Sequence, residues 1–276
     1  MKYTVENDGI LVEDVTEFEP ESTLTCGQVF RYGKADSYWW VIAGANFAKI
    51  IPKGEKSYYI ETKNPDFFIK YFDFEKNYAK IILALSKYPI LESAIEYGRG
   101  IRLLRQDLVE VIVSFIISAC NNIPRIQKIL NNICSSFGTK YDWGYSFPSL
   151  AQLAHATESD FARLGCGYRS PYLVRTINAL QNTSILEDLQ KADTKTAKKI
   201  LKSLYGIGDK VADCILLFGL NRYDVFPVDT WIDKVYHEDF GGKEHSRAKI
   251  SEYFVNEFGE FSGYAQQYLF FHKRKV

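Results

Sequence analysis

The hydrophobic pattern of this 276-residue chain changes period once, near residue 98. Before that point, short aromatic and β-branched runs alternate with turn signals. The runs are Tyr38 to Gly44, Phe47 to Ile51 and Ser57 to Thr62; the turns are Gly33-Lys34, Gly44-Ala45-Asn46 and Lys53 to Lys56. Runs of this length joined by tight turns predict an antiparallel sheet. Residues 66–97 turn helical, as in Ala79 to Ser86, and from about Gly98 the chain reads as almost entirely helical. The predicted fold class is α+β, with an N-terminal β-rich domain over residues 1–97 and a mostly α-helical domain over residues 98–276. A chain this long can bury a sizeable core in one large domain or two modest ones.

Within the helical part, Asp107 to Ser118 is apolar on most faces, which predicts a buried central helix. Pro124 stands where a new helix can start, with Asn121 and Asn122 as possible caps. Phe147 to Leu153 and Glu158 to Leu164 read as short helices, and Leu164 to Arg169 as a turn. Further helices are expected over Tyr172–Gln181 and Thr194–Ser203, and over Lys249–His272 with an interruption at Gly259 and Gly263.

Composition narrows the class. The five cysteines are scattered, with no C-x-x-C pair, and the four histidines are dispersed. That pattern fits a reducing compartment and predicts no disulfide framework, no metal site and no cofactor. The longest apolar stretch, Leu108 to Cys120, is too short for a membrane span and carries Glu110. The first residues have no apolar signal core. The expectation is a soluble, intracellular monomer, cytoplasmic or nucleoid, or nuclear in a eukaryote. Net charge is zero, but residues 1–100 carry 12 basic and 15 acidic groups, against 22 and 19 in residues 101–276. This small asymmetry permits nucleic-acid binding by the second part, since backbone amides hold phosphate without net charge.

The chemistry concentrates in residues 200–229. Apolar helical segments flank Gly206-Ile207-Gly208; Lys210 follows the turn, and Asp229 follows Pro227-Val228. Two glycines allow positive φ and a close backbone approach, and the helix after them offers free amides to a phosphate. The turn reads either as an ordinary glycine-capped corner or as a helix–hairpin–helix, a sequence-independent grip on the DNA backbone. Lys210 sits in the first turn of a helix, where the dipole disfavours a cation. It is either a surface phosphate contact or, if desolvated, an amine able to form a Schiff base. Asp229 can cap the helix beginning at Thr230, and can also steady the positive sugar that forms when a glycosidic bond breaks. Cys214, four residues after Lys210, shares its face and is either core packing or a wall of the same pocket.

These residues resemble the helix–hairpin–helix glycosylase superfamily, specifically the 8-oxoguanine DNA glycosylases. The likeness rests on Leu204 to Cys214 and on Pro227-Val228-Asp229. It extends to Cys26 to Arg31, Gly100 to Asp107, Ser118 to Ile126, Phe147 to Leu150, Leu164 to Arg169 and Tyr264 to Phe270. The resemblance implies a bifunctional DNA glycosylase/AP lyase that takes 8-oxoguanine from duplex DNA in base excision repair. Lys210 would attack the sugar C1′, with Asp229 stabilising the cation. The Gly27 carbonyl would accept the N7–H that guanine lacks. Cys214 and Phe270 would sandwich the everted base, Pro227 would line its pocket, and Gln266 would read its Watson–Crick edge. Asn121, Asn122, Arg125, Tyr168 and Arg169 would fill the gap and meet the estranged base, while Gly206 and Gly208 grip the backbone.

The chain departs from the family pattern at two positions. Cys120 stands where eukaryotic members carry the first of three asparagines, and Trp231 where they carry histidine. Two other readings remain open at this point: a glycosylase for another damaged purine, against which Lys210 speaks, and a non-catalytic hairpin module that only binds DNA.

Overall fold

The computed structural model describes every residue except Asn7, Asp14, Lys56 and Val276. Six strands form one antiparallel sheet: β1 (Lys2–Glu6), β2 (Gly9–Glu13), β3 (Tyr32–Lys34), β4 (Trp39–Ala43), β5 (Asn46–Pro52) and β6 (Ser57–Glu61). Their order across the sheet is β1-β2-β6-β5-β4-β3. Side chains alternate between faces along a strand, and the register lines up one buried row. Ile60 pairs with Ile10 on one side and Ile50 on the other, and all three are fully buried. Phe18, Phe68 and Phe72 close this face, with the Phe18 ring edge-on to Phe72 at 5.3 Å.

The strands expected over 38–44, 47–51 and 57–62 are present as β4, β5 and β6. Neither β1 nor β2 stands out in the sequence. In β1 the reason is physical: four of its five residues are exposed, so no buried stripe marks it. The turn expected over 53–56 ends on Lys56, which lies outside the described residues.

The helical part builds a second core around helix Leu108–Ser118, capped by Asp107, whose Oδ1 accepts from the Glu110 amide at 2.9 Å. Every residue from Glu110 to Ile117 in it is buried. Helices Ile123–Phe137, Ser170–Asn182, Thr194–Ser203, Asp209–Gly219, Arg247–Phe258 and Ser262–Lys275 contribute to the same core. Asn122, rather than Asn121, caps the helix after the central one, accepting from the Arg125 amide at 3.0 Å. The expected break in the C-terminal helix lies at Gly259–Phe261. Gly263 is not part of it. It is the second residue of the last helix, where a β-carbon would stand 2.4 Å from Leu217. Its role is close packing. Helices Pro20–Thr25 and Ile185–Lys191 and the short hairpin at 140–145 are additional to the sequence expectation. Among the described residues, no helix is long and apolar enough to cross a membrane.

Buried polar groups join the sheet to the helices. Glu110 accepts from the Gly44 amide at 2.9 Å and lies 3.7 Å from Arg31, while burial pushes its carboxyl up. Arg102 is fully buried and donates to the carbonyls of Phe72 at 2.8 Å, Lys76 at 3.0 Å, Glu17 at 3.1 Å and Asp73. Its guanidinium lies 3.9 Å over the Tyr78 ring. Gln28 bridges the Arg102 carbonyl at 2.7 Å and the Leu104 amide at 2.9 Å. A buried network of this kind favours one arrangement, because a slip leaves further charges and amides unpaired. It fixes the loop at Cys26–Gln28 against the helical core.

Candidate active site

That loop is one wall of a small cavity. Gly27 adopts φ +88°, and the loop is held from behind by the last helix. Gln267 donates to the Cys26 carbonyl at 2.6 Å, and Arg274 donates to the Thr25 carbonyl. Gln106 takes the Gln28 carbonyl at 2.8 Å. Among the described residues, no donor is bonded to the carbonyl of Gly27 between them.

The opposite wall comes from helix Asp209–Gly219. Its first turn carries Lys210, and Cys214 and Phe218 follow at intervals of four on the same face. The Lys210 ammonium lies 5.4 Å over the ring of Phe115, and Phe115 stacks on Phe218 at 5.4 Å. Burial pushes the Cys214 thiol up to about 11, opposed by the charge of Lys210, so the thiol is neutral at physiological pH. Asp229 closes the third side. It caps helix Thr230–Lys234, its Oδ1 accepting from the amides of Trp231 at 2.9 Å and Ile232 at 3.0 Å.

The structure thus brings seven sequence-predicted residues to one cavity: Gly27, Lys210, Cys214, Pro227, Asp229, Gln266 and Phe270. The cavity measures about 40 Å³, room for a water or two and not for a purine. A base can enter only if a side chain of the lining moves. The Gln266 Oε1 is buried there without a partner, an open acceptor of the kind that native proteins rarely leave.

The other expected residues gather on a second surface. Cys120 adopts φ +49° at the tip of the loop between helices Leu108–Ser118 and Ile123–Phe137, next to Asn121 and Asn122. Arg125 is exposed. Tyr168 is 56% exposed, and its hydroxyl donates to the Ala119 carbonyl at 3.2 Å. Arg169 is instead buried, donating to the carbonyl of Ala119 at 2.9 Å and of Cys120 at 3.1 Å. In this state it braces the loop from below.

The hairpin adjoins this surface through Tyr172. Its ring lies edge-on to Tyr168 at 6.2 Å. It also packs on Gly206 (φ +79°), where a β-carbon would meet it at 2.7 Å. Gly208 faces open space and heads helix Asp209–Gly219 without a side-chain cap bond. The first amides of that helix therefore point outward with no capping side chain.

Phe115, Phe218 and Gln267 also line the cavity and escaped the sequence reading. Phe218 was within reach, since it continues the spacing of Lys210 and Cys214. Phe115 comes from a helix more than ninety residues earlier, and no local pattern marks it.

Comparison with known proteins identifies the family. Residues 10–112 match the family model of the 8-oxoguanine DNA glycosylase N-terminal domain, and residues 113–260 that of the HhH-GPD superfamily base excision DNA repair protein. An N-glycosylase/DNA lyase OGG1 of Arabidopsis thaliana is 37% identical over 67% of this chain and 55% of its own length. A probable N-glycosylase/DNA lyase of Methanothermobacter thermautotrophicus is 31% identical over 67% of each. The chain therefore spans about half of the plant relative. Among solved structures, Clostridium acetobutylicum 8-oxoguanine glycosylase/lyase, in complex with double-stranded DNA containing cytosine opposite 8-oxoG, superposes with a TM-score of 0.94 at 34% identity. That match covers 100% of this chain and 98% of the other. The 3-methyladenine DNA-glycosylase of Archaeoglobus fulgidus, at 18% identity and a TM-score of 0.78, shares the fold.

Proposed function

The chain belongs to the HhH-GPD base excision repair superfamily, in its 8-oxoguanine DNA glycosylase branch, and from that premise we propose that it excises 8-oxoguanine from duplex DNA and then nicks the strand. The observation that carries this reading is the convergence of an amine, a carboxylate and an open backbone acceptor on one cavity: Lys210, Asp229 and the Gly27 carbonyl.

The hairpin amides beyond Gly208 and the loop at Cys120–Asn122 hold the duplex, while the target nucleotide is turned out of the stack. Base entry displaces part of the cavity wall. The purine then lies between Cys214 and Phe270, with its Watson–Crick edge toward Gln266 and its N7–H toward Gly27. Guanine has an acceptor at N7, so it would face an acceptor across a buried gap, which is the costly case.

Chemistry follows from the Lys210 nitrogen. Lys210 reacts as the free amine after giving up its ammonium proton. Its lone pair forms a bond to C1′ as the C1′–N9 bond breaks with its electrons on N9, and the proton then shed by the attacking nitrogen neutralises the departing base. Asp229 opposes the positive charge that develops on the sugar. Ring opening gives a Schiff base between Lys210 and C1′. Loss of a C2′ proton then expels the 3′ phosphate, and hydrolysis frees the lysine.

The test is incubation with duplexes carrying 8-oxoguanine opposite each of the four bases, with and without borohydride. A nicked strand and a borohydride-trapped covalent complex are expected. Intact duplex in all four pairings would overturn the reading.

A further inference from the structure

Resting on that reading, we propose that Arg274 is a second lesion-reading residue, donating a hydrogen bond to the oxygen on C8 while the Gly27 carbonyl accepts from N7–H. Four observations support it. The Nη1 of Arg274 is buried and has no hydrogen-bond partner. It lies beside Gly27, 3.1 Å from the point where a β-carbon on that residue would stand, behind the residues that line the closed cavity. The guanidinium is held there by its bond to the Thr25 carbonyl and by the Phe270 ring, 5.3 Å from its central carbon. The neighbouring Gly27 carbonyl is itself without a donor among the described residues.

The chemistry of the lesion fits this pair. Oxidation of guanine turns N7 from an acceptor into a donor and replaces C8–H with C8=O, so adjacent ring positions present a donor and an acceptor. A carbonyl on Gly27 and a guanidinium N–H brought close to the same residue offer the complement. An arginine cannot shed its proton, so an unpaired Nη1 is a standing cost that only an acceptor relieves. Guanine offers C8–H at that place and leaves the cost uncorrected. Arg274 thereby reads the one heavy atom that oxidation adds.

The experiment exchanges that atom. Single-turnover excision is measured on duplexes carrying 8-oxoguanine or 8-thioxoguanine, which keeps N7–H but presents sulfur, a poor acceptor, on C8. Wild-type protein, Arg274→Met and Arg274→Lys are compared, and strand nicking at a preformed abasic site reports that each variant is folded. Arg274→Met is expected to slow 8-oxoguanine excision by about tenfold or more, the range for a bond to a charged group. Arg274→Lys should restore part of the rate. Sulfur for oxygen should slow the wild type and leave Arg274→Met unaffected. An equal sulfur penalty in wild type and Arg274→Met would overturn the assignment. Wild-type protein that nicks abasic sites but leaves 8-oxoguanine in place would overturn the underlying reading instead.

Discussion

Gln267 and Cys26 lie 241 residues apart in the chain, and the Gln267 side chain donates to the Cys26 carbonyl at 2.6 Å, inside the protein. This bond joins the last helix to the loop that carries Gly27. Both residues are buried, so no water can replace either partner. The loop's position is therefore set by the far end of the chain, while the helix after the hairpin supplies the facing wall.

Gln267→Leu should test that coupling. It removes the donor and leaves the Cys26 carbonyl buried without one, which costs about 1–3 kcal/mol. Urea unfolding should show a loss in that range. Excision of 8-oxoguanine should fall further than nicking at a preformed abasic site, since only the first needs the Gly27 carbonyl in place. An equal fall in both activities would mean that the bond serves stability alone.

Lys210→Gln leaves a neutral polar side chain one bond shorter and removes the nucleophile. Borohydride trapping of a covalent DNA complex should vanish. Affinity for a lesion duplex should stay within a few-fold, because the hairpin amides and the Cys120–Asn122 loop are untouched. Persistent trapping would pass the nucleophilic role to another amine.

Most of the cavity was legible because its parts lie in dense local patterns. Lys210 and Cys214 share a helix face, and Asp229 has the form of a cap. The resemblance to known glycosylases added Gly27, Gln266 and Phe270. What the pattern could not carry was orientation. Arg169 reads as a base contact, yet its guanidinium turns back onto the Ala119 and Cys120 carbonyls. Arg274 carries no signal in the sequence, and only the folded chain brings it to Gly27, 247 positions earlier. Long-range pairings of this type leave no periodic trace. Gly263 misled in the other direction, since a glycine within a helix can mark a close approach as well as a break.

Gly27→Ala should be costly for two reasons. Residue 27 sits at φ +88°, and its new β-carbon would stand 3.0 Å from the Phe270 ring and 3.1 Å from Arg274. Strain at such a position costs about 1–3 kcal/mol. A shift of the loop or of Phe270 would relieve the contact but move the acceptor from N7. Excision should drop by at least tenfold, with abasic-site nicking retained. A variant with wild-type excision would show that the Gly27 position is not used in reading the lesion.

Asp213 ties the two hairpin helices together and gives stability a definite pH signature. It is buried on the second helix, 2.7 Å from Lys198 on the first. Burial pushes its carboxyl up to about 6 in spite of Lys198, with Asp209 adding to the rise and Lys202 opposing it. The unfolded chain has an ordinary carboxyl near 3.9. Above about pH 6 both states are ionised, and the folded state bears the full cost of a buried charge, on the order of 3 kcal/mol at 1.4 kcal/mol per unit. As pH falls from about 6 toward 4, the folded state takes up a proton that the unfolded state does not, and this group's contribution becomes more favourable. Asp213→Asn removes the titration, while Lys198, 28% exposed, keeps access to water. The wild-type stability minus that of the variant, from urea unfolding at each pH, should therefore grow as pH is lowered from 7 to 4.5. Using the difference cancels the carboxylates common to both proteins, whose protonation destabilises the fold in the same range. A difference that stays flat across that interval would mean that Asp213 ionises in the fold as it does in the open chain, and that the hairpin is not pinned by a buried charge.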